Sequence, residues 1–284
     1  MHYVGRFREE DLPPPGDRRQ GHIQGLSQVM LVDGSTGSVH MHLMVNQLKP
    51  GGTLDTHIHA FEEGYFFLAG EMVGMIDGHF YRLGPGDYCI TPVATPHAWR
   101  NAGSAPVRWV EMFAPQPSAT GHGRAVYLSR NSAPSTGDPI AALGPRAKYV
   151  GHLDESELPP PVTTRGGRLR NWSLKMMVDR SLGAQHLQMF IIDFAPGGRA
   201  AVHDHPFEEA FFVLSGEVAA EIEGKEYLLT PGSIAWASVG AAHAFRNEGK
   251  APVRWLEVQA PQPPDQQTHR YPDDWRRLEE ELAQ

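Results

Sequence analysis

The sequence contains a single cysteine, Cys89, among 284 residues. One thiol cannot form an internal disulfide, and a metal site built from several cysteines is excluded as well. We interpret Cys89 as a small buried core residue. The chain also lacks the run of about 18 apolar residues that a membrane-spanning helix needs. Residues 1–20 are charged and rich in proline, without the apolar region of a secretory signal, so we expect a soluble cytoplasmic protein.

Basic residues are scarce. The chain has 25 of them against 33 acidic residues, which gives a formal net charge of -8. Such a balance provides no basic surface for nucleic acid and no polybasic patch for a membrane. The predicted partner is therefore a small-molecule substrate, and the formation of a homo-oligomer is left open.

An internal repeat runs through most of the chain. Tyr-Val-Gly at residues 3–5 returns at 149–151, and the same offset relates the whole of 3–117 to 149–263. The offset stays at 146 residues, the difference between positions 3 and 149, so no loop has gained or lost residues. The repeat predicts two homologous domains that share one topology.

The repeat also sets the predicted domain limits. We place an N-terminal domain at 1–118, a linker rich in serine, glycine and proline at 119–146, and a C-terminal domain at 147–284. After the second copy, Trp275, Leu278 and Leu282 fall on one helical face. They predict a short C-terminal helix that packs on a barrel.

Short runs of β-forming residues, broken by glycine and proline, make up each copy. Neither copy contains a long segment with helical periodicity. This pattern predicts an all-β fold, an antiparallel barrel or jelly roll. The runs occupy residues 40–48, 64–77, 87–91 and 107–113, then 186–194, 210–223 and 253–258.

Each copy carries a His-x-His pair, a glutamate four residues later and a distant third histidine. The predicted metal ligands are His57, His59, Glu63 and His97, then His203, His205, Glu209 and His243. Residues two apart on a strand share one face, so paired imidazoles can converge on one ion. On a straight strand Glu63 would lie about 13 Å beyond His59, so the chain must turn at 60–62. A single His-x-His pair is a weak signal, but eight matching positions in two copies are a strong one.

The spacing resembles the two sequence motifs of the cupin superfamily, over residues 3–117 and 149–263. The first copy matches at Gly51, His57, His59, Glu63, Gly70, Gly86, Pro92, His97 and Asn101. Ala94 stands where the family has glycine, and Ser238 stands where it has proline, so these departures affect one turn. The resemblance implies two tandem cupin barrels of the double-stranded β-helix or jelly-roll type.

Three imidazoles and one carboxylate suit a divalent transition metal in each barrel. Manganese or iron is favoured, and nickel, copper or zinc also fits. Four protein ligands would leave two positions open on a six-coordinate ion, which is a catalytic arrangement. Resemblance to bicupin dioxygenases of the quercetinase and gentisate type implies a metal-dependent dioxygenase. Its expected substrate is a small molecule that chelates the metal through oxygen, with aromatic compounds among the candidates. The alternatives are a non-redox isomerase, lyase or amidohydrolase of the ureidoglycine aminohydrolase type, and a non-enzymatic metal- or ligand-binding cupin.

Residues beside the predicted ligands suggest a substrate pocket. Glu63 or Glu209 is the candidate catalytic base. The predicted lining combines three kinds of residue. Some are in register with the ligands on their strand, some occupy positions where the two copies differ, and one is an arginine that could bind a carboxylate. The residues are Tyr65, Phe67, Phe190, Phe211, Val213, Trp236 and Arg246. Met41, Leu43 and Val45 are apolar in both copies and are expected to face the core and line an apolar pocket. Because Val213 replaces Phe67 and Trp236 could flank a planar ligand, we predict that the C-terminal barrel is the principal active site.

Both ligand sets are complete, so we expect one ion per barrel, about two per chain. Replacing His57 with alanine should empty the first site and leave the second occupied. Elemental analysis of the purified protein measures both quantities. A value below one ion per chain in metal-replete protein would contradict the prediction.

Overall fold

The computed structural model describes residues 1–117, 125–135, 137–138, 140, 147–263 and 268–272. The predicted C-terminal helix lies outside these residues. The described chain is all-β apart from short 3-10 helices, which confirms the predicted fold class. No helix in this part of the chain is long and apolar enough to cross a membrane. The 3-10 helices are Glu9–Asp11, Arg19–Gly21, Glu155–Glu157 and Arg165–Gly167.

The strands repeat in the same order in the two copies. The chain starts with β1 (His2–Arg6). The first copy continues with β2 (Gly16–Arg18), β3 (Ile23–Val32), β4 (His42–Ile58), β5 (Glu62–Ala69), β6 (Met72–Ile76), β7 (His79–Leu83), β8 (Asp87–Thr91), β9 (His97–Arg100), β10 (Val107–Ala114) and β11 (Val126–Tyr127). The second copy comprises β12 (Val150–His152), β13 (Val162–Thr164), β14 (Leu169–Val178), β15 (Gln188–His203), β16 (Glu208–Ser215), β17 (Val218–Ile222), β18 (Lys225–Leu229), β19 (Ser233–Ala237), β20 (His243–Arg246) and β21 (Val253–Ala260).

The described strands form two antiparallel sheets that curl into barrels. One sheet has the order β12-β8-β5-β10-β4-β9-β6-β7, with β3 and β11 also on β4 and β2 on β3. The other has the order β1-β19-β16-β21-β15-β20-β17-β18, with β14 on β15 and β13 on β14. Equivalent strands therefore occupy equivalent places, and the predicted common topology is confirmed.

The two barrels exchange their first strands. Strand β1 pairs with β19 of the second copy, from His2 opposite Ala237 to Arg6 opposite Ser233. In return, β12 pairs with β8 of the first copy, with Val150 opposite Cys89. The predicted domains are continuous segments of the chain. The sheets are not, because residues 2–6 belong to the second barrel and residues 150–152 belong to the first. Each barrel is thus completed by a strand from the other copy.

One buried apolar cluster joins the barrels. It contains Met41, Leu43 and Val45 together with their repeat partners Leu187, Met189 and Ile191. All six are at most 1% exposed, which confirms that they face a core. That core lies between the barrels, so these residues do not line a substrate pocket as expected. The interiors of the barrels are lined instead by the alternate residues of the same strands, among them Met44 and Phe190.

A bulge in the long strand of each copy explains this change of face. Between Leu54 and His57, strand β4 has one residue more than its partner β9. Strand β15 has the same shift between Ala200 and His203. An extra residue reverses the alternation of a strand. The odd-numbered residues at the start of the strand therefore face the other barrel, whereas the odd-numbered histidines at its end face the interior of their own barrel.

The turn that differs from the cupin motif keeps its conformation. Ala94, which replaces the family's glycine, has a φ of 59°. Gly240, its repeat partner, has a φ of 75°. The turn thus requires the left-handed conformation in both copies, and alanine adopts it at a cost in backbone strain.

A buried glutamate from each barrel binds a turn of the other. Glu208 accepts hydrogen bonds from Ser38 Oγ at 2.6 Å and from the Val39 amide at 2.9 Å. Its repeat partner Glu62 accepts hydrogen bonds from the amides of Gln185 and His186, both at 2.8 Å. Both carboxylates are 1% exposed. They stabilise the contact between the barrels because the partly buried amides that donate to them would otherwise lose their acceptors.

Replacing Glu208 with alanine should lower the free energy of unfolding by about 3 kcal/mol or more. The substitution removes the acceptor of the buried Ser38 hydroxyl and of the buried Trp236 indole, and each buried donor left unpaired costs about 1–3 kcal/mol. Chemical denaturation measures the change. Glu226, whose carboxylate pairs with Arg246 at the surface, is the matched control, and its replacement should leave the unfolding curve nearly unchanged. Equal effects of the two substitutions would contradict the role of Glu208.

Candidate metal centres

The strand ends bring the predicted ligands together. Strand β4 ends at Ile58, next to His57 and His59, and β5 begins at Glu62, next to Glu63. The chain therefore turns at the predicted place. His97 opens β9, opposite His57 in the sheet. The second copy repeats this arrangement with His203, His205, Glu209 and His243.

In the first barrel, the four side chains converge. One ring nitrogen from each of His57, His59 and His97 lies within 4.8 Å of the others. Glu63 Oε1 is 3.1 Å from His59 Nε2, and Glu63 Oε2 is 2.9 Å from His97 Nε2. Tyr65 donates a hydrogen bond of 2.6 Å to the same carboxylate. These separations match those between neighbouring ligands of one ion bound at about 2.1 Å.

The second barrel forms two groups that share one histidine. His205 lies with Glu209 and His243 in one group, and with His203 and His269 in the other. Glu209 Oε2 is 3.4 Å from His205 Nε2 and 3.1 Å from His243 Nε2. The predicted ligands are thus assembled here too, together with a fifth side chain that the sequence did not indicate.

Backbone carbonyls orient the histidines. The Nδ1 atoms of His57 and His97 lie 2.7 and 2.9 Å from the carbonyl oxygens two residues earlier. His203 and His243 make the same contact at 2.6 and 2.9 Å. A carbonyl beside Nδ1 places the proton there and leaves Nε2 with a lone pair. The sites are therefore built to present Nε2 towards one point.

Two buried polar atoms fit a metal better than a hydrogen bond. His97 Nε2 lies 2.9 Å from Glu63 and Glu209 Oε2 lies 3.1 Å from His243, but neither atom makes a well-directed hydrogen bond with the described residues. Buried polar atoms are normally paired, and an unpaired one needs an explanation. Each atom faces the point where the three histidines and the glutamate of its own barrel converge. Three nitrogen donors and one oxygen donor suit a divalent transition metal. The residues present therefore fit the ion that the motifs imply.

Burial keeps two of the histidines neutral. The pKa of His57 is well below its ordinary value because burial disfavours the charged ring, and His97 and His59 add repulsion. Burial and the neighbours His243 and His205 depress the pKa of His203 in the same way. A neutral imidazole is the form that binds a metal. These two positions need no deprotonation near neutral pH.

The ligand carboxylates remain charged. Burial alone would raise the pKa of Glu63, but the charges of His59 and His97 hold it below its usual range. Burial acts in the same sense on Glu209, and there the charges of His205 and His243 lower the pKa. Each barrel thus offers one anionic carboxylate to a candidate ion.

A second buried carboxyl group lies behind each ligand glutamate. Burial, and then the charge of Glu63, raise the pKa of Glu111 well above its ordinary value. Burial and the charge of Glu209 do the same to Glu257. The indole of Trp109 donates to Glu111 at 2.7 Å, and that of Trp255 donates to Glu257 at 3.0 Å. Each site therefore contains one ionised and one neutral carboxyl group.

The cavities above the two sites differ in chemistry. The first has a volume of about 320 Å³ and is bordered by polar side chains that include Arg18, Arg19, Gln28 and Asn46. The second, of about 180 Å³, is mostly apolar. Its apolar lining includes Leu169, Trp172, Leu174, Met176, Phe190, Ile192, Phe194, Phe207, Phe211, Phe245 and Trp255. The second cavity is suited to an apolar ligand.

Three of the seven predicted pocket residues line these cavities, namely Tyr65, Phe190 and Phe211. Phe67 and Val213 lie in the cores of their own barrels because they are one step farther along the strand. Trp236 lies in the cluster between the barrels, where its indole faces Glu208 at 3.3 Å, so it does not flank the second cavity. Arg246 pairs with Glu226 and Glu248 at the surface.

Sequence reasoning missed the residues that approach the sites from outside the repeat. Strand β11 places Tyr127 opposite His57, with ring centroids 5.3 Å apart. In the second barrel, His269 stacks on His203 with centroids 5.1 Å apart. Burial and the charges of His205 and Arg165 lower the pKa of His269 to about 3. The sequence did contain a signal for these segments, because each copy is followed by a tyrosine, at 127 and at 271. The spacing of the two tyrosines is two residues shorter than the repeat offset, so the match is not seen at that offset.

The sequence matches the Cupin domain family twice. The matched segments are residues 44–113 and 190–259, one in each barrel. Each includes the ligands described above, from the first half of the long strand to the last strand of the barrel.

Curated proteins resemble parts of the chain. A mannose-1-phosphate guanylyltransferase of Klebsiella pneumoniae is 31% identical over 70 residues, which are 24% of this chain and 15% of that protein. The tetracenomycin polyketide synthase protein TcmJ of Streptomyces glaucescens is 26% identical over 95 residues, 33% of this chain and 61% of that protein. The chain thus spans less than two thirds of the length of either relative.

Solved structures resemble nearly the whole chain. A variant salicylate 1,2-dioxygenase from Pseudoaminobacter salicylatoxidans, in complex with gentisate, aligns with a TM-score of 0.71 and 16% identity over 92% of this chain and 82% of its own. A formate complex of Lactobacillus farciminis oxalate decarboxylase gives 0.68 and 16% over 98% and 93%. Bacillus subtilis oxalate decarboxylase, in a structure described for its Mn(II) centres, gives 0.66 and 14% over 99% and 84%. At these low identities, the TM-scores show that the fold is shared and nothing more.

Metal affinity should fall on acidification, and at a higher pH for the second centre than for the first. Burial opposes protonation of His243, but close contact with the charged Glu209 raises its pKa above the ordinary value. The pKa values of His57 and His203 are both depressed, so these two ligands do not distinguish the centres. The raised pKa of His243 means that the proton competes with the metal at a higher pH in the second centre. Calorimetric titration with Zn(II) across pH 5–8, on His57→Ala and His203→Ala variants, separates the two centres. A higher midpoint for the first centre would contradict this order.

Proposed function

The chain is a two-domain member of the cupin superfamily, and we propose that it is a metal-dependent enzyme, specifically a dioxygenase of small, oxygen-chelating, aromatic substrates. The observation that carries this proposal is the set of three histidines and one glutamate beneath an aromatic cavity in the second barrel. Likeness in fold to salicylate 1,2-dioxygenase is consistent with it.

The proposed ligands are His57, His59, Glu63 and His97 in the first barrel, with their four repeat partners in the second. A divalent ion held there would polarise the oxygens of a chelating substrate and provide positions for O₂. Manganese or iron remains the proposed ion, and the Mn(II) centres of the oxalate decarboxylase with the same fold favour manganese. The carbonyl contacts at Nδ1 would keep the imidazoles in place while substrate enters.

The carboxyl groups provide a route for accepting and donating a substrate proton. Glu63 and Glu209 remain the proposed bases, since each is ionised and faces the site. Behind them, Glu111 and Glu257 are held neutral by burial, so each pair contains one acceptor and one donor. Groups whose pKa values are pushed apart in this way are typical of acid and base partners in enzymes.

The second barrel is the proposed principal active site. Its cavity is bordered by Phe190, Phe211 and Trp255, which offer flat apolar faces for an aromatic ring. Trp236, which first suggested this assignment, does not contribute to it. The assignment now rests on the side chains that do line the cavity.

A non-redox reaction is the second candidate, and the first cavity supports it. Arg18 and Arg19 border that cavity and could bind a small carboxylate. Likeness in fold to oxalate decarboxylase agrees with a lyase, and an isomerase or amidohydrolase would use the same ligands. A non-enzymatic ligand-binding role is the third candidate.

Oxygen uptake distinguishes these candidates. Protein loaded with Fe(II) or Mn(II) should consume one O₂ per molecule of substrate converted when salicylate, gentisate and catechol are supplied as a panel. An oxygen electrode and mass spectrometry of the products measure the ratio. Release of CO₂ from oxalate without net O₂ uptake would instead support the lyase, and metal-loaded protein that binds but converts none of these compounds would favour the third candidate.

Removing one ligand from each barrel locates the chemistry. His205→Ala should lower the activity by more than about 100-fold, because even residues that only support a metal ligand contribute about 10- to 100-fold. His59→Ala, the matched variant of the first barrel, should retain most of the activity. Each variant is checked for folding and for metal in the unchanged barrel. Activity that survives loss of the second ion but not the first would overturn the assignment.

A further inference from the structure

In each barrel a short segment pairs with the long strand beside the candidate metal site, and we call this segment the strap. In the first barrel the strap is 125–127, and β11 pairs Val126 with Ile58 of the long strand. In the second barrel the strap is 269–271, where Arg270 bridges to Asp204. Ile58 and Asp204 are repeat partners, so Arg270 corresponds to Val126. By the same register, His269 corresponds to Ala125.

This correspondence identifies a difference between the two centres. A ring nitrogen of His269 lies within 4.8 Å of nitrogens of His203 and His205. In the first barrel, Ala125 borders the cavity at the equivalent place and offers no donor atom. The second centre therefore has one imidazole more than the first.

The second strap is held firmly against the site. Asp204 and Arg270 exchange backbone hydrogen bonds of 2.9 and 3.0 Å, and their side chains form an ion pair. The Thr268 carbonyl contacts His205 Nδ1, and the Arg168 guanidinium lies 4.2 Å from the centre of the Tyr271 ring. His269 sits between these anchors, so its place beside the ligands is set by the strap.

The ring of His269 has a defined orientation. Thr268 Oγ1 is 3.0 Å from His269 Nδ1. An Nδ1 proton donated to that hydroxyl would leave Nε2 with a lone pair. Outer contacts of this kind fix the ring of a metal-binding histidine in the same way as the carbonyls fix the other ligands.

We propose that His269 is an additional protein ligand of the second metal centre, and that a substrate that chelates through two oxygens displaces it. The inference rests on the proposed metal in that barrel. With five protein ligands, a six-coordinate ion has one open position, whereas the first centre with four has two. A bidentate substrate therefore needs a position that His269 holds, and the strap becomes part of substrate recognition.

The test counts imidazoles on a Co(II) probe. In a His57→Ala/His97→Ala background, only the second centre binds, and X-ray absorption should detect four imidazoles. His269→Gln should reduce the count to three and weaken Co(II) binding about tenfold or more, as loss of a supporting contact already can. His79→Gln, which alters an exposed histidine of the first barrel, is the control and should change neither value. Unchanged count and affinity in His269→Gln would overturn the inference.

The reciprocal variant tests the same idea in the first barrel. Ala125→His, with the second centre removed by His203→Ala/His243→Ala, should raise the imidazole count there from three to four. Catechol added to the parent second centre should lower its count by one, and catechol added to His269→Gln should not. A second centre that binds Co(II) through three imidazoles in all variants would refute only the role of His269. A second centre that binds no metal at all would refute the proposed function as well.

Discussion

The alternation of side chains on one strand connects the metal site to the other barrel. Glu62 and Glu63 are neighbours on β5, so they point to opposite faces of the sheet. Glu63 faces the histidines, while Glu62 accepts hydrogen bonds from the amides of Gln185 and His186 in the second copy. Glu208 and Glu209 repeat the arrangement in the other direction. The strand that carries each carboxylate ligand is therefore anchored from behind by the partner barrel, and the exchanged strands β1 and β12 reinforce this contact.

Each site also solves the problem of burying two carboxyl groups side by side. Two adjacent anions in a buried site would repel strongly, so one group of each pair stays neutral. The copies reach this state with different hydrogen bonds. Tyr65 donates to Glu63 in the first barrel, whereas Gln259 donates to Glu209 at 2.7 Å in the second. Both copies thus keep the pair of carboxyl groups, while the side chain that donates to the ionised member differs.

The sequence predicted the parts of the site that depend on local spacing. Ligands two and four residues apart, a turn before Glu63 and a common topology all follow from strand geometry and an unbroken repeat. The lining of the cavities could not be predicted in this way. A one-residue bulge between Leu54 and His57 reverses the face to which the earlier side chains of the strand point. The position of Trp236 between the barrels depends on the exchange of strands, which involves residues more than 200 positions apart. Local patterns do not contain such long-range pairings.

The strap was missed for a similar reason. It lies beyond the region of constant offset, and its partner in the other copy is displaced by two residues, so a search at fixed spacing does not align Ala125 with His269. The register of the strap against the long strand reveals the correspondence.

The differences between the cavities indicate how a duplicated site can diverge without loss of its ligands. Gln28, Asn46 and Tyr65 border the first cavity, and their repeat partners Leu174, Ile192 and Phe211 border the second. All three exchanges replace a polar side chain with an apolar one of similar size, so they change what the cavity binds while leaving the frame in place. None of the three positions supplies a metal ligand. The histidines are oriented by backbone carbonyls rather than by these three side chains, so the linings can differ while the histidines keep their places. The exchange of Tyr65 for Phe211 also removes a hydrogen bond to the carboxylate, which Gln259 replaces in the second barrel.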